Sequence, residues 1–547
     1  MASVYVGIDG GTGSARAGLF TADGTLLAAA RRPIEAWRES GDIVEQSSED
    51  IWQACAGALR AAIADAAVDP GAVRGIGFDA TCSLVVVDKA GSPLSVSPSG
   101  DARRNVIVWM DHRAVGEARA IDATGDAVLR YVGGKVSPEM EMPKLLWLKR
   151  HLPAAFRSAG QFFDLADFLS WRATGSLARS TCTVTCKWNY LAHEQRWSDE
   201  FLAAIGLSEL SAEAHRRIGQ QVVPPGTALG SGLTAEAARD FGLPAGTPVA
   251  AGLIDAHAGG LGTLGGRASN GVPADPTRRL GYIMGTSACI MATTSEPTFV
   301  PGVWGPYLSA MVPGLWLNEG GQSTAGAAID HLVRSHAAYP RAQAEAAAAG
   351  IPPLDYLEDL IRSRVGTLSE AACLARERHV LPDFLGNRSP YADPDVRAVI
   401  AGLAIEDTIE DLECHFVAGL CGLAYGLAEV VDALRGQGVS AESIVASGGA
   451  SHSRLVRQIL ADAVGVTVVL PHTAEPVLLG AAMLGAVAGK RHGSLAVAMS
   501  TMAKDGPATD PTPPGIADFH SRKRTVHAML RRLAADARSA MSVDEHP

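Results

Sequence analysis

The feature that most constrains this chain is its first strand. Val4-Tyr5-Val6-Gly7-Ile8-Asp9 is an apolar β run that stops at an aspartate. Gly10-Gly11-Thr12-Gly13 then turns the chain into a second apolar run ending at Phe20. Asp23-Gly24 is a turn pair, and residues 25–30 read as a third strand. A Walker-type phosphate loop would lead into a helix through Gly-Lys-Ser/Thr, and neither is present. Glycines lacking Cβ let backbone N–H groups close around an anion such as phosphate. Asp9, at the strand end, is placed to hold a metal ion through water. The alternative is an ordinary tight hairpin with an exposed aspartate.

A second copy decides between these. Leu280-Gly281-Tyr282-Ile283-Met284-Gly285-Thr286-Ser287-Ala288-Cys289-Ile290-Met291-Ala292 is again strand, small turn, strand. Two such hairpins far apart suggest two related domains. The pattern resembles the sugar kinase, heat-shock chaperone and actin superfamily, where one hairpin from each domain grips the phosphates of a nucleotide.

Length and charge limit the rest. A chain of 547 residues, 47% hydrophobic and 19% charged, can bury two sizeable cores. A net charge of -11 argues against a nucleic-acid partner. No cationic residues lead an apolar opening segment, and the apolar run 477–488 is too short to span a bilayer. The expectation is a cytoplasmic protein with no membrane partner. The eight cysteines show no zinc-like pairing; Cys182 and Cys186, four apart with no His or Cys at metal spacing, read as reduced core thiols.

Along the chain, Ser47 and acidic neighbours open a helix at 51–67. Strands at 73–78 and 106–109 run toward Asp79-Ala80-Thr81-Cys82-Ser83 and Met110-Asp111-His112-Arg113, and ligands of α/β sheets bind beyond such strand ends. Residues 181–190, carrying Lys187, read as β-rich, with Lys187 either an edge charge or a sugar contact. Asp255 follows a strand and precedes a small-residue helix, where an N-cap is the plain reading. Residues 265–279 read as the connection between domains, 336–378 as an inserted helical hairpin, 410–434 as a long helix. Ser447-Gly448-Gly449 opens a βαβ unit suited to a purine or ribose. Residues 505–514 read as a Pro-rich linker and 520–540 as a basic helix.

The motifs together resemble the FGGY family of carbohydrate kinases along nearly the whole chain. They are Gly7-Ile8-Asp9-Gly10-Gly11-Thr12, Lys144-Leu145-Leu146-Trp147-Leu148, Ala251-Gly252-Leu253-Ile254-Asp255, Gly285-Thr286-Ser287, Phe384-Leu385-Gly386-Asn387-Arg388-Ser389-Pro390 and Ser447-Gly448-Gly449. Asp79-Ala80-Thr81-Cys82-Ser83 and Cys186-Lys187-Trp188 are similar to the ribulokinase branch, of D-ribulose and ribitol kinase type. The resemblance implies an α/β protein of two ribonuclease-H-like (actin-like ATPase) domains facing each other across a nucleotide and sugar cleft. These would be residues 1–265 and 280–500, with 501–547 as linker and terminal helix.

It further implies ATP and Mg²⁺, with Asp255 as the base on the sugar hydroxyl and Asp9 on the metal. Gly11, Thr12, Gly285, Thr286, Ser287 and Gln322 would serve the ATP phosphates, and Gly448, Gly449 and Ser453 the adenosine. Cys82, Asp111, Lys187 and Glu319 would line the sugar pocket. Two departures stand out: Ser453 where the family often has Asn, and Asn387-Arg388-Ser389-Pro390 where Glu-Arg-Thr-Pro is usual. The expected reaction is phosphorylation of a pentulose, D-ribulose before ribitol or L-ribulose, by a protein compatible with a homodimer. From other classes, a non-catalytic sugar sensor should lack Asp9 or Asp255, and an actin-like ATPase should hydrolyse ATP without sugar.

Overall fold

The computed structural model describes residues 3–39, 43–267, 271–512 and 514–541. Two of its sheets follow one plan. In the first, Val4–Gly10 pairs antiparallel with Ser14–Thr21, which pairs antiparallel with Leu26–Pro33. On its other side Val4–Gly10 pairs parallel with Val73–Ala80, and that strand pairs parallel with Leu253–Ile254. In the second sheet Arg279–Met284, Ala288–Thr294 and Trp316–Gln322 form the antiparallel set. Ser443–Ser447 and Thr467–Pro471 continue from Arg279–Met284 in parallel. Each sheet therefore contains a hairpin with a third antiparallel strand and two parallel additions, the repeat expected of two ribonuclease-H-like halves, and the second sheet adds an antiparallel strand at each edge, Trp304–Leu308 and Asp505–Thr509.

Local sequence accounts for most of the elements. Every residue of Val4–Gly10 is buried, as a central strand covered on both faces requires. The helix Ser48–Asp65 starts where the Ser47 side chain accepts from the Asp50 amide. Gly350, at φ 71°, ends Tyr339–Ala349 before Pro353–Arg364, giving the inserted hairpin. Among the described residues one helix, Ile409–Gly436, is long and apolar enough to cross a membrane, but its most apolar window is 83% buried in the protein.

The halves interlock. The helix Pro476–Ala488 follows the last parallel strand of the second sheet, yet it packs on the first. A Cβ at Gly7 would collide with the Leu478 carbonyl, and one at Gly77 with that of Ala481. Leu478, Leu479, Met483 and Leu484 share one apolar cluster with Tyr5, Phe20 and Ile254. A division by residue number near 280 thus does not divide the core.

Three readings of the sequence change. Residues 181–190 are not β-rich: Thr181–Lys187 is a helix, capped where the Ser180 side chain accepts from the Cys182 amide, and all seven residues are buried. The β-branched threonines and valine that favour a strand are overridden by that cap and by burial. Residues 505–514 are not simply a linker, because Asp505–Thr509 adds an antiparallel edge strand to Thr467–Pro471. Pro507 is tolerated there because an edge strand has no partner on its outer side. The terminal helix runs Gly515–Met541, and Lys523 Nζ anchors it by donating to the Ala375 and Arg378 carbonyls. Of the connection read at 265–279, residues 268–270 lie outside the described set; Arg267 bridges both Pro273 and Lys504.

Candidate active site

A cleft of about 620 Å³ opens between the two sheets, and its ends differ in chemistry. At one end the first sheet gathers carboxylates. Asp9 and Asp79 stand opposite each other in parallel register, and Asp255 follows the strand that pairs beside them. Asp9 is only 3% exposed, so it is not the surface aspartate of a plain hairpin. Arg16 holds its Oδ2 at 2.7 Å and reaches Glu475 with its other arm, while Asp9 Oδ1 has no partner. Both oxygens of the buried Asp79 lack partners as well. Burial, then the charge of Asp9, lift Asp79 well above the usual carboxylate range. The same two causes raise Asp255 to about 6.

Asp255 is not an N-cap. Ile254 occupies that position with no side-chain cap, and the Asp255 carboxylate accepts only from the adjacent Ala256 amide. A carboxylate lifted to about 6 is suited to accept a proton near neutral pH. The orphaned, hard oxygens of Asp9 and Asp79 fit a divalent cation. Mg²⁺, an ion that keeps much of its water shell, is a cation of that kind.

At the other end the charges are already matched. Lys187 Nζ lies 3.6 Å from Glu319 Oε2 and 4.5 Å from the centre of the Trp304 ring. Burial opposes both charges, but each holds the other: Lys187 stays well above its ordinary range, and Glu319, supported also by His257, falls to about 2. Arg388 meets Glu139 at 3.2 Å and faces the same tryptophan. Since Glu139 belongs to the first half and Arg388 to the second, this pair joins the halves at the cleft wall. Cys82 lines the cleft too, its thiol pushed up by burial.

Between the ends stand the hairpin turns. Gly11 N–H donates to Ser14 O, and Gly285 N–H donates to Ser287 O at 2.8 Å. Trp109 Nε1 donates to the Thr12 hydroxyl at 2.9 Å and so fixes it. Gly11, Thr12, Gly285, Thr286 and Ser287 all border the cleft together with Asp9, Asp255, Lys187 and Glu319.

Five other residues expected at the site do not border this cleft. Asp111 does not line the cleft: its Oδ2 accepts from the Val44 amide, and Arg113 binds both its oxygens, so it is a buried structural staple. Gln322 accepts from the Tyr282 hydroxyl and donates to Leu423 O, so both ends of its amide are engaged within the protein. Ser453 caps Arg454–Val464 and bonds Glu358 of the insertion. Gly448, at φ 94°, presses against the Met284 backbone beside the second hairpin, while Gly449 has open space around its Cα. Neither glycine borders the 620 Å³ cleft itself.

Arg16, Glu139, Trp304 and His257 are given no role by the sequence reading, and Asp79 and Arg388 appear there only within quoted stretches. Asp79 had a signal, since it ends a strand parallel to the one ending in Asp9. His257, two residues after Asp255, had none, because its partners Cys182 and Glu319 are remote in sequence.

Comparison with known proteins gives the family. A model described as the FGGY family of carbohydrate kinases, N-terminal domain, matches residues 4–262, and its C-terminal counterpart matches 280–489. A human FGGY carbohydrate kinase domain-containing protein is 48% identical over 517 residues, covering 93% of this chain and 92% of the relative. A D-ribulokinase of Saccharomyces cerevisiae is 36% identical, covering 89% of this chain and 72% of the relative. The crystal structure of a xylulose kinase from Rhodospirillum rubrum superposes with a TM-score of 0.77 at 23% identity, over 97% of this chain and 98% of that one, a likeness of fold.

Proposed function

Because the chain belongs to the FGGY family of carbohydrate kinases, we propose that it transfers the terminal phosphoryl group of ATP to a pentulose, D-ribulose, giving D-ribulose 5-phosphate. The observation that carries this is one cleft holding Asp255, raised to about 6, together with the buried Lys187–Glu319 pair. The D-ribulokinase relative supports the choice of sugar.

In this reading Asp255 takes the proton from the attacking sugar hydroxyl. Lys187 donates to sugar oxygens and Glu319 accepts from sugar hydroxyls, against the Trp304 face. The Thr12 hydroxyl and the Gly285-Thr286-Ser287 turn meet the ATP phosphates. Mg²⁺, when bound beside Asp9 and Asp79, neutralises phosphate charge. Phosphoryl transfer asks for positioning and charge neutralisation more than covalent help. The Glu139–Arg388 contact keeps the halves together, which helps exclude water that would otherwise hydrolyse ATP.

The test is a coupled ADP-release assay over D-ribulose, L-ribulose, ribitol, D-xylulose and no sugar. D-ribulose should give the highest kcat/KM. A preference for ribitol would overturn the substrate, and equal ATP turnover without sugar would overturn the kinase roles given to Asp255 and Lys187.

A further inference from the structure

Behind the sugar end of the cleft lies a cluster that the reaction above does not use. Cys182 and Cys186 sit one turn apart on Thr181–Lys187, and His257 comes from Asp255–Leu264. The donor atoms of all three lie within 4.8 Å of one another, and all three residues are completely buried. His257 Nδ1 is 3.0 Å from Cys182 Sγ and 4.0 Å from Cys186 Sγ. Its other nitrogen, Nε2, meets Glu319 Oε2 at 3.2 Å. The sequence reading found no histidine at metal spacing because this one is 75 residues away.

We propose that Cys182, Cys186 and His257 form a binding site for a thiophilic divalent cation of the zinc type. Three observations carry it. First, tetrahedral zinc with sulfur at about 2.3 Å and nitrogen at about 2.0 Å places these ligands about 3.6 Å apart. The two S···N separations straddle that value, so small side-chain adjustments close the site. Second, metal-bound histidines characteristically donate their free N–H to a carboxylate, and Glu319 already fills that place.

Third, the charge balances. Although burial resists it, Cys186 and His257 pull the Cys182 thiol below its usual range, while Cys182 and Glu319 push His257 up; Cys186, chiefly through burial, keeps its proton. The empty cluster is thus a thiolate, an imidazolium and a thiol, net neutral. Zn²⁺ binding expels one proton from His257 Nδ1 and one from Cys186, leaving two thiolates, a neutral imidazole and the dication, again net neutral. No uncompensated charge is buried in either state.

The test uses reduced, chelator-stripped full-length protein titrated with Co²⁺ as a spectroscopic stand-in, then with Zn²⁺. One equivalent of Co²⁺ should give a thiolate-to-cobalt charge-transfer band, release about two protons, and be displaced by Zn²⁺. Cys186→Ser, checked for folding by its Tm, should lose the band, and Asp9→Asn should keep it. Absence of the band in folded wild-type protein, or its persistence in both Cys182→Ser and Cys186→Ser, overturns the proposal and leaves a plain thiolate–imidazolium pair. These readouts do not depend on the sugar assignment, so a failure of that reading would be seen separately.

Discussion

The two ends of the cleft are both buried and both charged, yet they are built on opposite principles. At the Asp9 end, carboxylate oxygens of Asp9 and Asp79 are left without partners. At the Lys187 end, Glu319 is met by both Lys187 and His257. A buried carboxylate oxygen without a partner is costly, and a proton or a ligand relieves it. Paired buried charge holds a fixed geometry in which incoming hydroxyls are read. On the proposed reading, the first end serves the cation and proton transfer and the second serves recognition.

Asp255→Asn breaks this contrast most sharply. It should fold normally and lose roughly 10²–10⁴ in kcat, the worth of a positioned base. Near-wild-type turnover would assign the proton transfer elsewhere.

Lys187→Met attacks the opposite end and leaves Glu319 without its ammonium partner. The expected loss is about 2–4 kcal/mol in kcat/KM for D-ribulose, with the KM for ATP hardly changed. A small, uniform loss across D-ribulose, L-ribulose and ribitol would remove Lys187 from recognition.

The pH profile separates the ends without mutation. Below about 6 Asp255 is protonated, so kcat/KM should fall about tenfold per pH unit there, while Glu319, down at about 2, stays ionised. For stability the sign is opposite. A carboxylate raised by the fold from 3.8 to about 6 contributes stability that is complete below 3.8 and is lost as pH rises through about 6. The Tm gap between Asp255→Asn and wild type should therefore narrow on acidification from pH 7 to pH 5, and a constant gap would contradict the raised value.

Thr286→Val is the mildest change, removing one hydroxyl between the ends while keeping the β-branch. The KM for ATP should rise several-fold, about what one lost hydrogen bond is worth, and more than the KM for sugar. Equal effects on both substrates would argue against a phosphate role for the second hairpin.

What the sequence determined by itself was local in origin. A buried strand, a small-residue turn and a returning strand are written in consecutive residues, and so both hairpins, the strand-end place of Asp9 and the Gly285-Thr286-Ser287 turn were legible, whereas Asp255 read locally as an N-cap and gained its expected role only from the family resemblance. So was the helix Arg454–Val464, bounded by Ser453 and Gly465. Tertiary structure decided whatever depends on partners far along the chain. It set Asp79 beside Asp9 through strand register. It turned 181–187 into a helix and brought His257 to its cysteines. It drew Asp111 away from the cleft because Arg113 and the Val44 amide satisfy it first. Secondary-structure propensity is worth tenths of a kcal/mol per residue, whereas burying an unmatched polar or charged group costs several times more; where the two conflict, the partner in space prevails.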